Sequence, residues 1–150
     1  MTTTFSLDLP SLSTDNVYVF YADIKALKDF EVNVFRQCLD QAEQNRVDAF
    51  YFDKDRQLYL VSHYLLRLIL SHYIHLPPEN IEFETNKFGK PSLKGNHDID
   101  FNLSHSGCVA VLAISKQANL GIDIEKIDES KEVLSILDNY FHPFEVAQFK

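Results

Sequence analysis

A long amphipathic helix followed by two prolines is the feature that most constrains this fold. Between about Asp55 and His75, apolar residues recur at helical spacing. The apolar stripe consists of Leu58, Val61, Leu65, Leu68 and Ile69. Pro77-Pro78 ends the helix, because proline lacks an amide donor and restricts the residue before it. The sequence therefore predicts one long helix with an apolar stripe along its length.

Shorter elements around this helix predict an α/β (α+β) fold. The predicted strands are residues 17–21, 81–84, 99–103, 109–115 and 120–125. Residues 31–44 and 132–137 have helical spacing, and Pro143 suits the first position of a further helix. Turn residues at 86–91 and 95–96 separate the strands.

Composition and charge argue against several classes of function. The net charge of −8 argues against a nucleic-acid-binding protein, which needs a basic face. The longest apolar runs fall short of the ~20 residues of a membrane span. The N-terminus has no basic and apolar regions typical of a signal peptide. Cys38 and Cys108 form no recognisable disulfide pattern, which indicates a reducing compartment, and we expect a cytoplasmic protein.

The first candidate site is the pentapeptide Gly-Ile-Asp-Ile-Glu at 121–125. Side chains on a strand alternate between faces, so Asp123 and Glu125 point the same way, roughly 7 Å apart. Gly121 allows a ligand to approach the backbone closely. Two such carboxylates suit a hard divalent cation such as magnesium. A solvated strand face explains the same alternation, and the pentapeptide alone does not decide between them.

Two further motifs carry groups that hold phosphate. Residues 101–106 predict a strand running into a polar turn that contains Ser104 and His105. Hydroxyls, backbone amides and protonated histidine all bind phosphate. Adjacent residues on an extended chain face opposite ways, so this pair is poorly placed as nucleophile and base. Lys90, between Gly89 and Pro91, is a cation on a stiff loop, although the loop is no Walker A motif. An ordinary turn also explains each motif by itself.

The order and spacing of three motifs carry more information than any one of them. Asn-Lys-Phe-Gly-Lys-Pro at 86–91, Phe-Asn-Leu-Ser-His-Ser at 101–106 and Leu-Gly-Ile-Asp-Ile-Glu-Lys at 120–126 lie within about 40 residues. In this order the chain resembles the 4′-phosphopantetheinyl transferases of the surfactin-synthetase-activating type. The resemblance extends from roughly Gln44 to Lys150 and includes the long helix.

This resemblance implies a reaction and a set of site residues. The family transfers the 4′-phosphopantetheine arm of coenzyme A to a serine of an acyl or peptidyl carrier protein, which is holo-[acyl-carrier-protein] synthase activity. By resemblance, Asp123 and Glu125 are catalytic and hold magnesium (Mg²⁺) against the pyrophosphate. The residues implied to bind coenzyme A are Arg46, Gly89, Lys90, Ser104 and His105.

The resemblance also implies a fold of two similar α/β halves with the active site between them. Residues 1–116 would form the first, coenzyme A-binding half, with a small sheet packed on the long helix. Residues 117–150 would begin the second half with the metal-binding strand. The family's later Trp-x-x-Lys-Glu-Ala motif, which supplies a third carboxylate and a lysine, is absent. We therefore expect a truncated second half and a weakly active or inactive chain.

One departure and two alternatives bear on this interpretation. Tyr59 stands where some relatives place a small hydroxylated residue for coenzyme A, which puts that contact in doubt. The short, trimeric carrier-protein synthase type begins with its Gly-Ile-Asp strand, whereas here the motif starts at Gly121. A non-catalytic module that binds coenzyme A or a carrier protein, a degraded paralogue, remains the alternative function.

Overall fold

A long helix packs against a three-stranded antiparallel sheet in the computed structural model of this protein, which describes residues 8–26, 32–116, 119–127 and 143–144. The strands are β1 (Val17–Asp23), β2 (Phe83–Thr85), β3 (Pro91–Leu93), β4 (Asp100–Ser106) and β5 (Val109–Ser115). The helices are α1 (Val32–Gln37), α2 (Gln41–Ala49) and α3 (Asp53–Ile74). Short 3₁₀ turns occupy Ile24–Ala26 and Pro78–Asn80.

The predicted long helix is confirmed as α3. Asp53 and Asp55 lie in its first turn, where carboxylates are favoured by the positive end of the helix dipole. His75 caps the other end in the left-handed conformation, with φ of 56°, two residues before Pro77. More of the α3 surface is buried than the predicted apolar stripe. The sheet covers one part of the helix, and α1 and α2 cover another. Leu66, Ile69 and Leu70 face the sheet, whereas Leu60 packs with residues of the short helices.

The sheet has the order β1-β5-β4, with both pairs antiparallel. Residues 109–115 form the central strand, as their nearly continuous apolar sequence predicts. Phe101 of β4 pairs with Ile114, and both are fully buried against α3. The predicted arrangement of a small sheet on a long helix is confirmed. β2 and β3 form a separate two-stranded hairpin.

Four predicted elements differ from the structure. The helix predicted over 31–44 is interrupted at Asp40, whose carboxylate accepts from the Glu43 amide and starts α2 with a capping box. The strand predicted over 81–84 begins later, at Phe83. The polar turn predicted after Leu103 is instead part of β4, because the chain turns at Gly107, where φ is +64°.

The fourth difference concerns residues 120–125, which form no strand. Their backbone donors bind side chains of β4 instead of a backbone ladder, as described below. The helix predicted over 132–137 lies outside the described residues. Pro143 and Phe144 have helical conformation, as predicted for the start of a helix there.

A buried charge network joins α2, α3 and the chain after α3. Arg67 has no exposed surface, and its Nε donates to Oε2 of Glu43 at 2.5 Å. One terminal nitrogen donates to Asp40 Oδ2 at 2.6 Å, and the other donates to the carbonyls of Pro78 (2.7 Å) and Ile81 (3.0 Å). Every donor group of the guanidinium therefore has an acceptor, which a buried charge requires.

His63 extends this network to the edge of the core. Its Nδ1 lies 2.7 Å from Glu43 Oε1, and its ring stacks on Tyr59 with centroids 3.9 Å apart. Because an ionised carboxylate only accepts, the proton of this hydrogen bond is on Nδ1 of the imidazole. Glu43 is thus fixed by two partners on α3.

Replacing Arg67 with alanine should lower the free energy of unfolding by about 3–5 kcal/mol, because Glu43 and two carbonyls lose their buried partner. Urea denaturation followed by circular dichroism measures this change. Lys54→Ala, an exposed cation on the same helix, is the control and should change stability by no more than about 0.5 kcal/mol. Equal effects of both substitutions would contradict a central role for the network.

Glu43 should make stability depend on acid pH. Burial by itself raises the pKa of Glu43, but the hydrogen bond and charge of His63 and those of Arg67 outweigh it and hold the pKa below its usual value. A lowered pKa stabilises the folded state fully above the unfolded value of about 4.5, and this contribution is lost as pH falls through the folded value. Urea midpoints measured between pH 6 and pH 3 should therefore fall less steeply for Glu43→Gln. A wild-type slope in that variant would contradict the assignment.

Candidate functional site

The alternating sequence of β4 positions one side of the candidate site. Phe101 and Leu103 turn towards the core on α3. The even-numbered residues therefore present their side chains on the opposite face of the sheet. These four polar side chains are Asp100, Asn102, Ser104 and Ser106.

The segment 120–126 runs alongside these four side chains, in the same direction as β4. The amide of Leu120 donates to Asp100 Oδ2 at 2.6 Å, and the amide of Ile122 donates to Asn102 Oδ1 at 2.8 Å. Farther along, the Ile124 amide is shared between Ser104 Oγ at 3.3 Å and Oδ1 of the neighbouring Asp123 at 2.9 Å. The Lys126 amide donates to Ser106 Oγ at 3.0 Å. Every second amide of the segment thus meets every second side chain of the strand.

Asp123 and Glu125 lie on the exposed side of this segment. The hydroxyl of Ser104 donates to Asp123 Oδ1 at 2.8 Å, and that of Ser106 donates to Glu125 Oε2 at 3.2 Å. Among the described residues, no donor reaches Oδ2 of Asp123 or Oε1 of Glu125. Both carboxylates therefore keep an oxygen available to a ligand on the solvent side.

This donor set fits the magnesium that the family implies, as part of a site. Carboxylate oxygens are the ligands that magnesium prefers, with water or phosphate completing its shell. Across the described ranges, no group of three or more His, Cys, Asp or Glu side chains lies close enough to hold a metal ion. Within the described residues, Asp123 and Glu125 thus offer two protein ligands.

Lys90 is engaged in an internal contact. Its Nζ lies 3.0 and 2.9 Å from the two carboxylate oxygens of Asp100 and donates to the Leu120 carbonyl at 3.0 Å. Both groups of the ion pair are partly buried. Gly89 precedes Lys90 in an exposed turn with φ of +83°, in which the Asn86 side chain accepts from the Lys90 amide. The turn thus directs Lys90 towards Asp100 and Leu120.

Contacts among the described residues do not bring together the other residues predicted to bind coenzyme A, His105 and Arg46. His105 is an exposed residue of β4 and, as a neighbour of Ser104 in a strand, points to the opposite face. Arg46 is exposed on α2, with its guanidinium 5.8 Å from the ring centre of Phe50. Their binding roles remain predictions.

Sequence reasoning missed three residues of this site: Asp100, Asn102 and Ser106. The signal available for them was the polar residue at every second position from 100 to 106. The predicted strand ends at residue 103 and residues 104–106 are predicted as a turn, so the alternation of polar side chains is not followed to Ser106.

Two other expectations can be compared with the described residues. Cys38 and Cys108 are free thiols there, as the sequence predicts. No helix in the described ranges is long and apolar enough to cross a membrane.

Comparisons with known proteins identify the family. The family model described as "4′-phosphopantetheinyl transferase, N-terminal" matches residues 28–117. The 4′-phosphopantetheinyl transferase gsp of Aneurinibacillus migulanus is 34% identical over 122 residues, which are 79% of this chain and 49% of that protein. Sfp of Bacillus subtilis is 32% identical over 73% of this chain and 48% of its own length. HetI of a Nostoc species is 30% identical over 77% of this chain and 56% of its own length.

A solved structure supports the fold. The holo-(acyl-carrier-protein) synthase of Bacillus anthracis, in complex with coenzyme A (3′,5′-ADP), superposes with a TM-score of 0.52 at 14% identity. The match covers 65% of this chain and 91% of that one. At this identity the likeness shows the fold alone, and it confirms the predicted phosphopantetheinyl transferase fold.

The family match covers the whole of α1 to β5 and ends just before the segment that carries Asp123 and Glu125. The chain spans about half the length of the relatives it matches. The prediction made from the three motifs is confirmed at the level of the family: the chain belongs to the 4′-phosphopantetheinyl transferases.

Proposed function

We propose that this chain takes part in the transfer of 4′-phosphopantetheine from coenzyme A to a serine of an acyl or peptidyl carrier protein. The observation that carries the proposal is the pair of outward-facing carboxylates, Asp123 and Glu125, held over β4 in a chain of this family. We propose further that residues 1–116 form the coenzyme A-binding half and residues 117–150 begin the second half, in the cytoplasm.

The reaction needs charge stabilisation more than a protein nucleophile. The serine oxygen of the carrier forms a bond to the phosphorus that bears the pantetheine arm. The bond from that phosphorus to the oxygen of 3′,5′-adenosine bisphosphate breaks, this oxygen keeps the bonding electrons, and the serine proton passes to solvent. Asp123 and Glu125 would hold magnesium, which when bound neutralises charge on the pyrophosphate oxygens and so assists departure of the leaving group.

The proposed coenzyme A residues would act as anion-binding groups. Ser104 is adjacent to the carboxylates through its hydrogen bond to Asp123, which places a hydroxyl beside the proposed metal position. Lys90, Gly89, His105 and Arg46 would bind the nucleotide and its 3′-phosphate. Lys90 can bind phosphate only if it shares or exchanges its present acceptors, Asp100 and the Leu120 carbonyl.

The alternative is a module that binds coenzyme A or a carrier protein without catalysis. This module would use the same two carboxylates and the same binding residues, and it differs from the proposal only in the absence of transfer. Binding and transfer experiments separate the two functions, since the module binds but transfers nothing.

Asp123→Asn should remove most of the magnesium dependence of coenzyme A binding. Titration calorimetry with coenzyme A, with and without magnesium chloride, measures it. Wild type should bind coenzyme A more tightly with magnesium than without it. In the variant, the ratio of the Kd without magnesium to the Kd with magnesium should be about tenfold or more smaller, because the amide is a poor magnesium ligand. Asp98→Asn, an exposed aspartate outside the site, is the matched control. Equal magnesium dependence in Asp123→Asn and wild type would show that the metal assignment is wrong.

Transfer should depend on Asp123. Radiolabelled coenzyme A, incubated with magnesium and an apo acyl or peptidyl carrier protein, should label the carrier. The Asp123→Asn variant should label it about 100-fold or more slowly, because charge stabilisation at the pyrophosphate is weakened, whereas Asp98→Asn should match wild type.

Two outcomes of the transfer assay would change the proposal. Equal labelling rates for Asp123→Asn and wild type would contradict a role of Asp123 in transfer. Intact coenzyme A binding without any label on the carrier would favour the binding module.

A further inference from the structure

The four contacts between β4 and residues 120–126 form a side-chain ladder, defined by the pairs 100–120, 102–122, 104–124 and 106–126. We propose that Asp100, Asn102 and Ser106 are positioning residues that set the register and orientation of the metal-binding carboxylates. The proposal rests on the proposed function of Asp123 and Glu125. It assigns a role to three side chains that the sequence motifs left without one.

The ladder fixes the spacing of the two carboxylates. Successive rungs on β4 are two residues apart, about 7 Å in a strand. Because the amides of 120, 122, 124 and 126 each meet one rung, the segment has to keep the same rise. Asp123 and Glu125, which lie between the rungs, are therefore held in adjacent positions on one side without a backbone partner strand.

At the first rung, Asp100 and Lys90 together bind the backbone amide and carbonyl of Leu120. Asp100 accepts the amide of Leu120 at 2.6 Å and also pairs with Lys90. Lys90 in turn donates to the Leu120 carbonyl at 3.0 Å. Charged partners make stronger hydrogen bonds than neutral ones, so this end of the segment is the most firmly held.

The last two rungs also orient the carboxylates themselves. Ser104 accepts the Ile124 amide and donates its hydroxyl proton to Asp123, and Ser106 does the same for the Lys126 amide and Glu125. Each serine thus fixes one carboxylate oxygen and leaves the other directed to solvent. Outer partners of this kind tune metal affinity by fixing the ligand orientation.

Asn102 is the best position for a test, because among the described residues its Oδ1 accepts only the Ile122 amide and its side chain has no hydrogen bond to either carboxylate. Asn102→Ala removes that rung, and Asn102→Asp keeps an acceptor at the same place. Asn96→Ala, an exposed asparagine in the turn before β4, is the matched control. If Asn102→Ala does not fold, Ser106→Ala removes the last rung, and exchange is then measured at the Lys126 amide.

The first measurement needs no metal and uses the 150-residue chain. Amide hydrogen exchange by NMR should show protection at Ile122 and Ile124 in wild type and in Asn96→Ala. Exchange at Ile122 should be about tenfold or more faster in Asn102→Ala, and Asn102→Asp should restore protection. Unchanged exchange at Ile122 in Asn102→Ala would overturn the ladder.

The second measurement titrates Mn²⁺, a paramagnetic substitute for magnesium, and follows broadening of the Ile124 and Lys126 amide signals. Asn102→Ala should weaken Mn²⁺ affinity about tenfold while Asn96→Ala matches wild type. Wild-type affinity in Asn102→Ala would overturn the positioning role alone. Absence of any Mn²⁺ effect on wild type would overturn the proposed metal role of Asp123 and Glu125, and the positioning role with it.

Discussion

The buried guanidinium of Arg67 is the interaction on which the arrangement of the helices depends. It takes its acceptors from α2, from the cap of α2 and from the chain that follows α3. A buried cation with one partner missing is costly, so these parts of the protein have to fold together. They bring the chain after α3 back along the helix, and β2 to β5 follow from there. The position of β4, and hence of the carboxylates over it, depends on this return.

The two faces of β4 have different roles: one packs in the core and the other forms part of the candidate site. On one face, Phe101 and Ile114 are fully buried against α3 and contribute to stability. The other face of β4 carries only polar side chains, and these hold a segment that forms no strand. Strand alternation thus lets seven residues serve the core and the site at the same time.

How far the sequence predicts the structure depends on whether the signal is local. α3, β1 and β5 were predicted because helical spacing or β-branched runs are complete within each segment. The break at Asp40 was missed, although Asp40 and Glu43 have the spacing of a capping box. At the site, Asp123 and Glu125 were identified from their motif. Asp100 and Asn102 were missed, because the alternation of polar residues marks a strand face but not the segment it binds, and their partners lie 20 residues away.

The side-chain ladder limits the registers that residues 120–126 can adopt along β4. A slip of the segment by one residue would leave its amides between the rungs of β4, with no acceptor in reach. A slip by two residues would restore the hydrogen bonds and exchange one carboxylate for another, since Glu125 would take the place of Asp123. Lys90 and Asp100 bind both polar backbone groups of Leu120, and Ile122 would present the same two groups after such a slip. The hydrogen bonds of the ladder therefore fix the spacing of the carboxylates more strictly than their identity.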